Sequence, residues 1–487
     1  MADTTGSARW RRWRGLLLWA AVLLVLGAYL WLVDLPRERS AEKTSEQDDK
    51  LLAFNAGAAT ALVLTTAGST ISLTKDHAGV WQILSPLKTP ADQAAVRSLL
   101  MRLNDASRLR VIDKQPTVLK GYGLAPAAVS LQITVGGVEH RVDFGDNSPV
   151  GSAAYARVLT AAGTGRPADG ESSAPVLLVP REIKEVAGKN LFDLRKKELF
   201  DLAAADVTGV ELRYPDQSTP LIRLERQSAS AAGAGRPADW QIVAPIRAAA
   251  DDEAVRELVR QVSALQATAI LDSGKAEKLA ALKRLKAEIL LRAGTRSVAV
   301  RLYLPFAEEA AYAVTTPEAP LYQVDRTTVL QFEKSLFDLR DKRVAQVEGE
   351  TVQRLQVDRP EGSFQLTRRG GDWLYKAQPL STSVAGKVRK FLDALWRAKV
   401  EKIAGDSAAA WSKLGLGDDA IVITLFSGDN SATQPVVVRL GKQEGNLLYL
   451  RRGSEIESYI TSIPLIDLLP NEHDFKMISN SSISRSP

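Results

Sequence analysis

The chain of 487 residues has no cysteine, three histidines and only 6% aromatic residues. The missing thiols exclude disulfides and thiolate-held metals. His77, His140 and His473 lie far apart in sequence and form none of the histidine pairs that bind zinc. Gly188-Lys189, Gly274-Lys275, Gly386-Lys387 and Gly441-Lys442 each lack the upstream glycine of a phosphate-cradling P-loop. No G-x-S-x-G elbow occurs, and the GYGLAP segment from Gly121 departs from the dinucleotide fingerprint and reads as a turn. Paired carboxylates remain open as chemistry, because their separation in space leaves no spacing signature. Asp251-Asp252 opens a helix, where carboxylates complement the macrodipole, and Asp418-Asp419 falls in a turn.

Excess charge is also scarce once it is located. Residues 1–33 carry four of the 63 basic and one of the 57 acidic side chains, leaving 59 against 56. That balance is no nucleic-acid footprint, so no nucleic-acid partner is expected. The basic cluster belongs instead to the one long apolar run, Leu16–Val33 (LLLWAAVLLVLGAYLWLV). Eighteen residues at about 1.5 Å rise nearly span a hydrocarbon core about 30 Å thick. Leu16, Trp19, Leu24, Tyr29, Trp31 and Val33 mark this expected anchor, with Tyr29 and Trp31 where an interfacial belt belongs. Arg9, Arg11, Arg12 and Arg14 precede it, and the positive-inside rule then keeps residues 1–15 cytoplasmic and places the bulk of the chain outside. A signal peptide has a shorter apolar region and a small-x-small cleavage site, and this run ends in Val33-Asp34-Leu35-Pro36. The flanking arginines and tryptophans argue against a buried core helix. The expected location is the inner (cytoplasmic) membrane, single-pass, with the bulk periplasmic.

After a polar tether over residues 34–48, one unit repeats three times. DKLLAFNAGAATALVL from Asp49 aligns with KKELFDLAAADVTGVEL from Lys196 and DKRVAQVEGETVQRLQV from Asp341. The expected repeat domains are 49–195, 196–340 and 341–475, followed by a tail over 476–487. Each copy has a tryptophan followed by a proline: Trp81 and Pro86, Trp240 and Pro245, Trp373 and Pro379. An amphipathic helix follows, with apolar spacing of three and four at Val96, Leu99, Leu100 and Leu103, and again from Val255 and Val388. The second half reads as a turn and three strands with a shorter helix near the close. The first two copies end on LFDLR, at Leu191–Arg195 and Leu336–Arg340, and the third is modified there, as ends of arrays often are. Antiparallel hairpins with inserted helices make an α+β class, and a period this long predicts tandem domains rather than a solenoid.

The recurring tryptophans fit two roles, a face for sugars or peptides and a core filler, and their apolar strands favour the core. Arg195 and Arg340 stand at the junctions, where they either pair with neighbouring acids or form a basic patch facing a partner; pairing is the expectation. AAGTGRPAD from Ala161 and AAGAGRPAD from Ala231 read as spacers, with a recognition loop as the alternative.

The N-terminal anchor, the W-x-x-x-x-P element before a helix, the Gly-Tyr-Gly-Leu turn at Gly121 and the L-x-D-L-R-x-K junctions resemble the domain-of-unknown-function 4340 family over nearly the whole chain from Asp49. The resemblance implies membrane-tethered proteins whose genes often lie beside ABC transporter components of the gliding-motility auxiliary type. It supplies no catalytic, cofactor or metal residue to carry over, so no cofactor is expected. The expectation is therefore a noncatalytic interaction module at the membrane, accessory to an ABC-type export or envelope-assembly system, with an ABC permease as partner. The alternatives are an envelope glycan or peptidoglycan hydrolase using paired carboxylates, and a passive scaffold for an envelope polymer or lipid.

Overall fold

The computed structural model describes residues 50–475 apart from 53, 162–173, 218–219, 228–239, 283, 307 and 428–434. The expected anchor with its flanking arginines, the tether, the tail and most of the two Gly-Ala-Pro loops lie outside the described residues. Among the described residues, no helix is long and apolar enough to cross a membrane.

The first repeat shows how the pattern becomes a fold. β1 (Ala59–Thr66), β2 (Ser69–Lys75), β3 (Trp81–Ser85) and β4 (Thr89–Pro90) form a meander. Helix α1 (Gln93–Asn104) and β5 (Arg110–Asp113) follow, then β6 (Val129–Val135), β7 (Val138–Asn147), β8 (Ala153–Ala161) and β9 (Val176–Pro180). Two short helices close the repeat, α2 (Arg181–Ala187) and α3 (Leu191–Leu194). The strands make one nine-stranded antiparallel sheet in the order β4-β3-β2-β1-β6-β7-β8-β9-β5. Alternation fixes its register: Leu62 and Leu64 of β1 face Leu73 and Ile71 of β2 and Ile133 and Leu131 of β6, and all six are buried. Asp92 starts α1 by accepting the amide hydrogens of Ala94 and Ala95. The helix adds Val96, Leu99, Leu100 and Leu103 to the same core.

The strand order recurs twice. The second repeat comprises β10 (Gly209–Arg213), β11 (Leu221–Arg226), β12 (Trp240–Ala244), β13 (Ala248–Ala249), α4 (Asp252–Ser263), β14 (Ala267–Leu271), α5 (Lys275–Ala281), β15 (Leu285–Ala293), β16 (Arg296–Tyr303), β17 (Ala311–Val314), β18 (Leu321–Val324), α6 (Arg326–Gln331) and α7 (Leu336–Leu339). The third comprises β19 (Val352–Arg359), β20 (Gly362–Arg369), β21 (Asp372–Tyr375), β22 (Gln378–Pro379), α8 (Thr382–Arg397), β23 (Lys402–Gly405), β24 (Ile421–Ser427), β25 (Val436–Glu444), β26 (Leu447–Arg452), β27 (Ser458–Thr461) and α9 (Leu465–Leu468). Their sheets are ordered β13-β12-β11-β10-β15-β16-β17-β18-β14 and β22-β21-β20-β19-β24-β25-β26-β27-β23. The described chain divides into two compact units, Met1–Asp201 with Ala264–Lys283 and Pro305–Arg326, and Leu202–Ser263 with Arg284–Leu304 and Thr327–Pro487.

The expected α+β class and three-copy arrangement are present, with three differences in detail. A fourth strand (β9, β18, β27) closes the second half of each repeat; in the first it is the short apolar run VLLVP, whose brevity carries no period. Helix α5 immediately precedes the leucine-containing turn predicted from Leu282 and has no counterpart in the predicted pattern; its KAEKLAA sequence consists of strong helix formers. Pro379 does not occupy the place of Pro86 and Pro245. Those two follow β3 and β12 in cis peptides, whereas Pro379 lies in β22, paired with Leu374. The reason is a tighter hairpin: Lys376 and Ala377 take left-handed φ of 47° and 66°, closing β21 onto β22 directly.

Candidate functional site

The three tryptophans are buried, at 4%, 4% and 5% exposure for Trp81, Trp240 and Trp373. The backbones of the first two are held by a side chain at the start of the long helix. Gln93 accepts from the Trp81 amide at 2.8 Å and donates to its carbonyl at 2.9 Å. Asp252 accepts from the Trp240 amide at 2.8 Å. These residues fill cores and offer no open aromatic face.

Arg195 and Arg340 are almost as buried, at 6% and 8% exposure, and each centres a joint between repeats. At the first, α3 opens on a capping box between Asn190 and Asp193, and Arg195 leaves it in extended conformation. The Arg195 guanidinium Nη1 donates to both Asp272 oxygens at 2.8 and 2.9 Å, and Nε donates to Thr89 Oγ1 at 3.2 Å. Thr89 belongs to the first repeat and Asp272 to the second. The backbone is stitched alongside: Asp92 N–H to Leu194 O, Lys196 N–H to Pro90 O, Leu199 N–H to Leu265 O and Ala267 N–H to Lys197 O, at 2.8–3.1 Å, ordinary amide hydrogen bonds. Lys197 Nζ donates to Asp193 O at 3.0 Å and lies 3.6 Å from the Asp92 carboxylate.

The second joint repeats this bond for bond. A capping box between Ser335 and Asp338 opens α7, Asp251 N–H donates to Leu339 O, Asp341 N–H to Ala249 O, Val344 N–H to Ala398 O and Val400 N–H to Lys342 O. Lys342 Nζ donates to Asp338 O at 2.7 Å and lies 3.8 Å from Asp251. The acids that receive the arginine differ. Arg340 meets Glu455 at 3.0 Å and also pairs with Glu457. Arg452 reaches Glu455 at 3.1 Å and donates to the carbonyls of Asp341 and Arg343 at 2.7 and 3.0 Å. The Tyr459 hydroxyl is 2.8 Å from Glu455 and 2.6 Å from Glu457, and both guanidinium groups lie over its ring, at 5.9 and 4.7 Å. Burial and the neighbouring Glu457 push the Tyr459 phenol up. For Glu457 burial works to raise the carboxyl, but the Tyr459 and Arg340 hydrogen bonds and the charges of Arg340 and Arg452 hold it below its ordinary 4.5.

Outside the joints, His77 is exposed in a turn and His140 lies in β7, with its ring 6.4 Å from that of Phe54. Asp251 accepts from the Glu253 and Ala254 amides at 3.2 Å, the local helix-opening role expected of it. The buried Glu211 is flanked by Arg213 and Arg223 at 2.6 and 3.0 Å. Burial opposes its charge, but these arginines hold its carboxyl below the ordinary range, the opposite direction from a general acid. Among the described residues, no group of three or more His, Asp or Glu is placed to hold a metal ion.

Among the grooves on the surface of the described residues are two in the first and third repeats. One, of about 450 Å³ in the third repeat, is lined by polar side chains including Gln356, Gln365, Lys376 and Glu472, with the Tyr375 hydroxyl donating to Glu472 at 2.9 Å. The other, of about 340 Å³ in the first repeat, lies between α1 and the α2–α3 turn and carries Arg102, Lys189 and Lys197. Sequence reading missed both. A residue-by-residue comparison of the copies carries a signal for the second: Lys189 and Lys334 correspond, while Ser98 stands where the second copy has Glu257.

Three antiparallel sheets of one strand order, each with a long helix inserted after its first meander and linked by buried-arginine joints, define a tandem-repeat α+β protein. The family described as "Domain of unknown function (DUF4340)" matches residues 81–287 and 240–385, together more than half of the chain, and the chain belongs to this family. No curated protein and no solved structure matches the chain.

Proposed function

We propose that this chain is a membrane-tethered extracytoplasmic interaction module that serves as an accessory subunit of an ABC-type export or envelope-assembly system. Leu16–Val33 anchors it in the inner membrane, the arginines before that run keep its N-terminus cytoplasmic, and the repeats reach a permease partner from the other side. The observation that carries this reading is the use made of the recurring residues. Trp81, Trp240 and Trp373 fill cores, while Arg195 and Arg340 hold consecutive repeats together. What is duplicated is scaffold, and a scaffold that maintains its joints with buried ion pairs supports presentation of surfaces rather than turnover. The family match is consistent with this and names no reaction.

Purification of the full chain in a mild nonionic detergent is expected to bring down an integral-membrane permease or its ATPase. Repeated recovery of the chain alone would count against the proposal. A reporter fused after Pro487 tests the topology separately; activity confined to the cytoplasm refutes the anchor orientation.

A further inference from the structure

The groove between α1 and the α2–α3 turn of the first repeat has an internal comparison in the second. On α4, Glu257 accepts from Arg260 at 2.5 and 2.8 Å and from Gln261 at 2.7 Å. The hydrogen bond from Arg260 is the largest cause of its lowered carboxyl pKa, and the charge of Lys334 adds to it. A carboxylate therefore sits in the field of the lysine that precedes the LFDL turn. In the first repeat Lys189 keeps the place of Lys334 and Ser98 takes the place of Glu257, while Arg102 replaces Gln261. Among the described residues, Arg102 and Lys189 carry no ion pair. The groove also carries one acid, Asp193, whose carboxylate is engaged in the capping box, accepting the Asn190 amide hydrogen at 3.0 Å. Lys197 is occupied by the Asp193 carbonyl and Asp92. The groove floor is apolar, with Leu99, Val186 and Leu194.

We infer that this groove binds an acidic peptide segment of a partner protein, a glutamate or aspartate side chain taking between Arg102 and Lys189 the place that Glu257 fills in the second repeat, with an adjoining aliphatic side chain on the floor. The inference rests on the interaction-module reading above and adds where the partner is held and by what chemistry. Two cations without an ion pair among the described residues, beside an apolar floor, match an acidic-aliphatic sequence by charge and by shape. Contacts between solvent-accessible charges are screened by salt, so binding should weaken as ionic strength rises.

The test uses the full chain in nonionic detergent and a fluorescein-labelled peptide of alternating glutamate and leucine, read by anisotropy, with the glutamine counterpart as control. The expected result is saturable binding of the glutamate peptide and at least tenfold weaker binding of the glutamine form. Ser98→Glu, which supplies the carboxylate from within, should weaken binding at least tenfold. Arg102→Gln with Lys189→Gln should do the same, and Lys334→Gln in the second repeat should leave it unchanged. All four positions are surface side chains, and unchanged circular dichroism checks the fold. No binding, or equal binding by the Ser98→Glu chain, overturns the inference. Binding of phosphatidylglycerol vesicles that is lost in the double variant, without peptide binding, overturns it in favour of a lipid surface. If a permease co-purifies equally with wild-type and Ser98→Glu chains, the groove is refuted while the interaction module stands. If none co-purifies with wild type, that broader reading fails whatever the peptide does.

Discussion

Arg340→Met is the sharpest probe of the joints. The Arg340 side chain is 10% exposed, and its partners Glu455 and Glu457 are 31% and 29% exposed. Removing one member of a buried ion pair typically costs about 3–5 kcal/mol, because the charge left behind stays buried without compensation. Here Arg452 remains 3.1 Å from Glu455, and both carboxylates keep some water, so the low end, about 3 kcal/mol, is expected. At about 1.4 kcal/mol per tenfold, the opening equilibrium of the joint should rise by roughly a hundredfold. Hydrogen exchange read by mass spectrometry on the full chain resolves this locally. Peptides covering residues 340–344 and β27 should exchange about a hundred times faster, while those covering Arg195 and β14 should be unchanged. Adding Glu457→Gln to Arg340→Met should recover much of the loss, since the stranded charge goes with it while Glu455 keeps Arg452. Acceleration below threefold, or equal acceleration at both joints, would refute the reasoning.

Other outcomes follow from the same geometry. Glu457 has a depressed folded pKa, so its contribution is complete well above its ordinary 4.5 and is lost as pH falls below that value; urea unfolding of the third repeat should show this acid loss in wild type and a flatter profile in Arg340→Met. Gly145→Ala places a Cβ 2.0 Å from the Tyr122 carbonyl oxygen, a backbone atom that cannot swing away, and should destabilise the first repeat by about 2–3 kcal/mol in denaturant melts. Trp240→Ala should cost the second repeat about 3–5 kcal/mol by the same measurement, and a loss below 1 kcal/mol would mean the site collapses around the cavity. Arg195→Lys keeps the charge but gives up the bond shared by both Asp272 oxygens; with Asp272 38% exposed, a loss of no more than about 1 kcal/mol is expected by exchange at β14.

Much of the fold was legible because periodicity and bulk are local properties. The spacing at Val96, Leu99, Leu100 and Leu103 predicts a helix that buries those four side chains, and they are buried. The turn glycines were legible for a related reason: Gly123 and Gly415 hold left-handed φ of 66° and 69° after their turns. In the second repeat α5 precedes a turn that lacks this glycine, and Tyr303 stands where the other copies need Gly145 and Gly441 to pass under a turn carbonyl. The partners of the arginines were not legible. Asp272 lies 77 residues from Arg195 and Glu457 lies 117 from Arg340, and the acids come from different strand ends, so no shared spacing links them. Pro379 misled because identity and approximate distance matched while the hairpin had shortened. The cationic groove depended on a difference between copies at Ser98 and Glu257, which a search for shared residues passes over.

The stitched backbone at the joints also bears on how such a chain can be lengthened. From Leu194 to Leu199 the strand leaving one repeat is already hydrogen-bonded into the next, so no slack residue exists at which a copy could be cut out and pasted. Both family matches begin at a tryptophan, Trp81 and Trp240, and run across a joint. The 81–287 cassette is therefore out of phase with the folded sheet, carrying the end of one, the whole Arg195 joint and the start of another, whereas 240–385 stops short of Ala398, Glu455 and Glu457 of the second joint. Anyone grafting a fourth copy should cut in the turn before Trp81, where the new ends inherit a finished seam instead of having to create one.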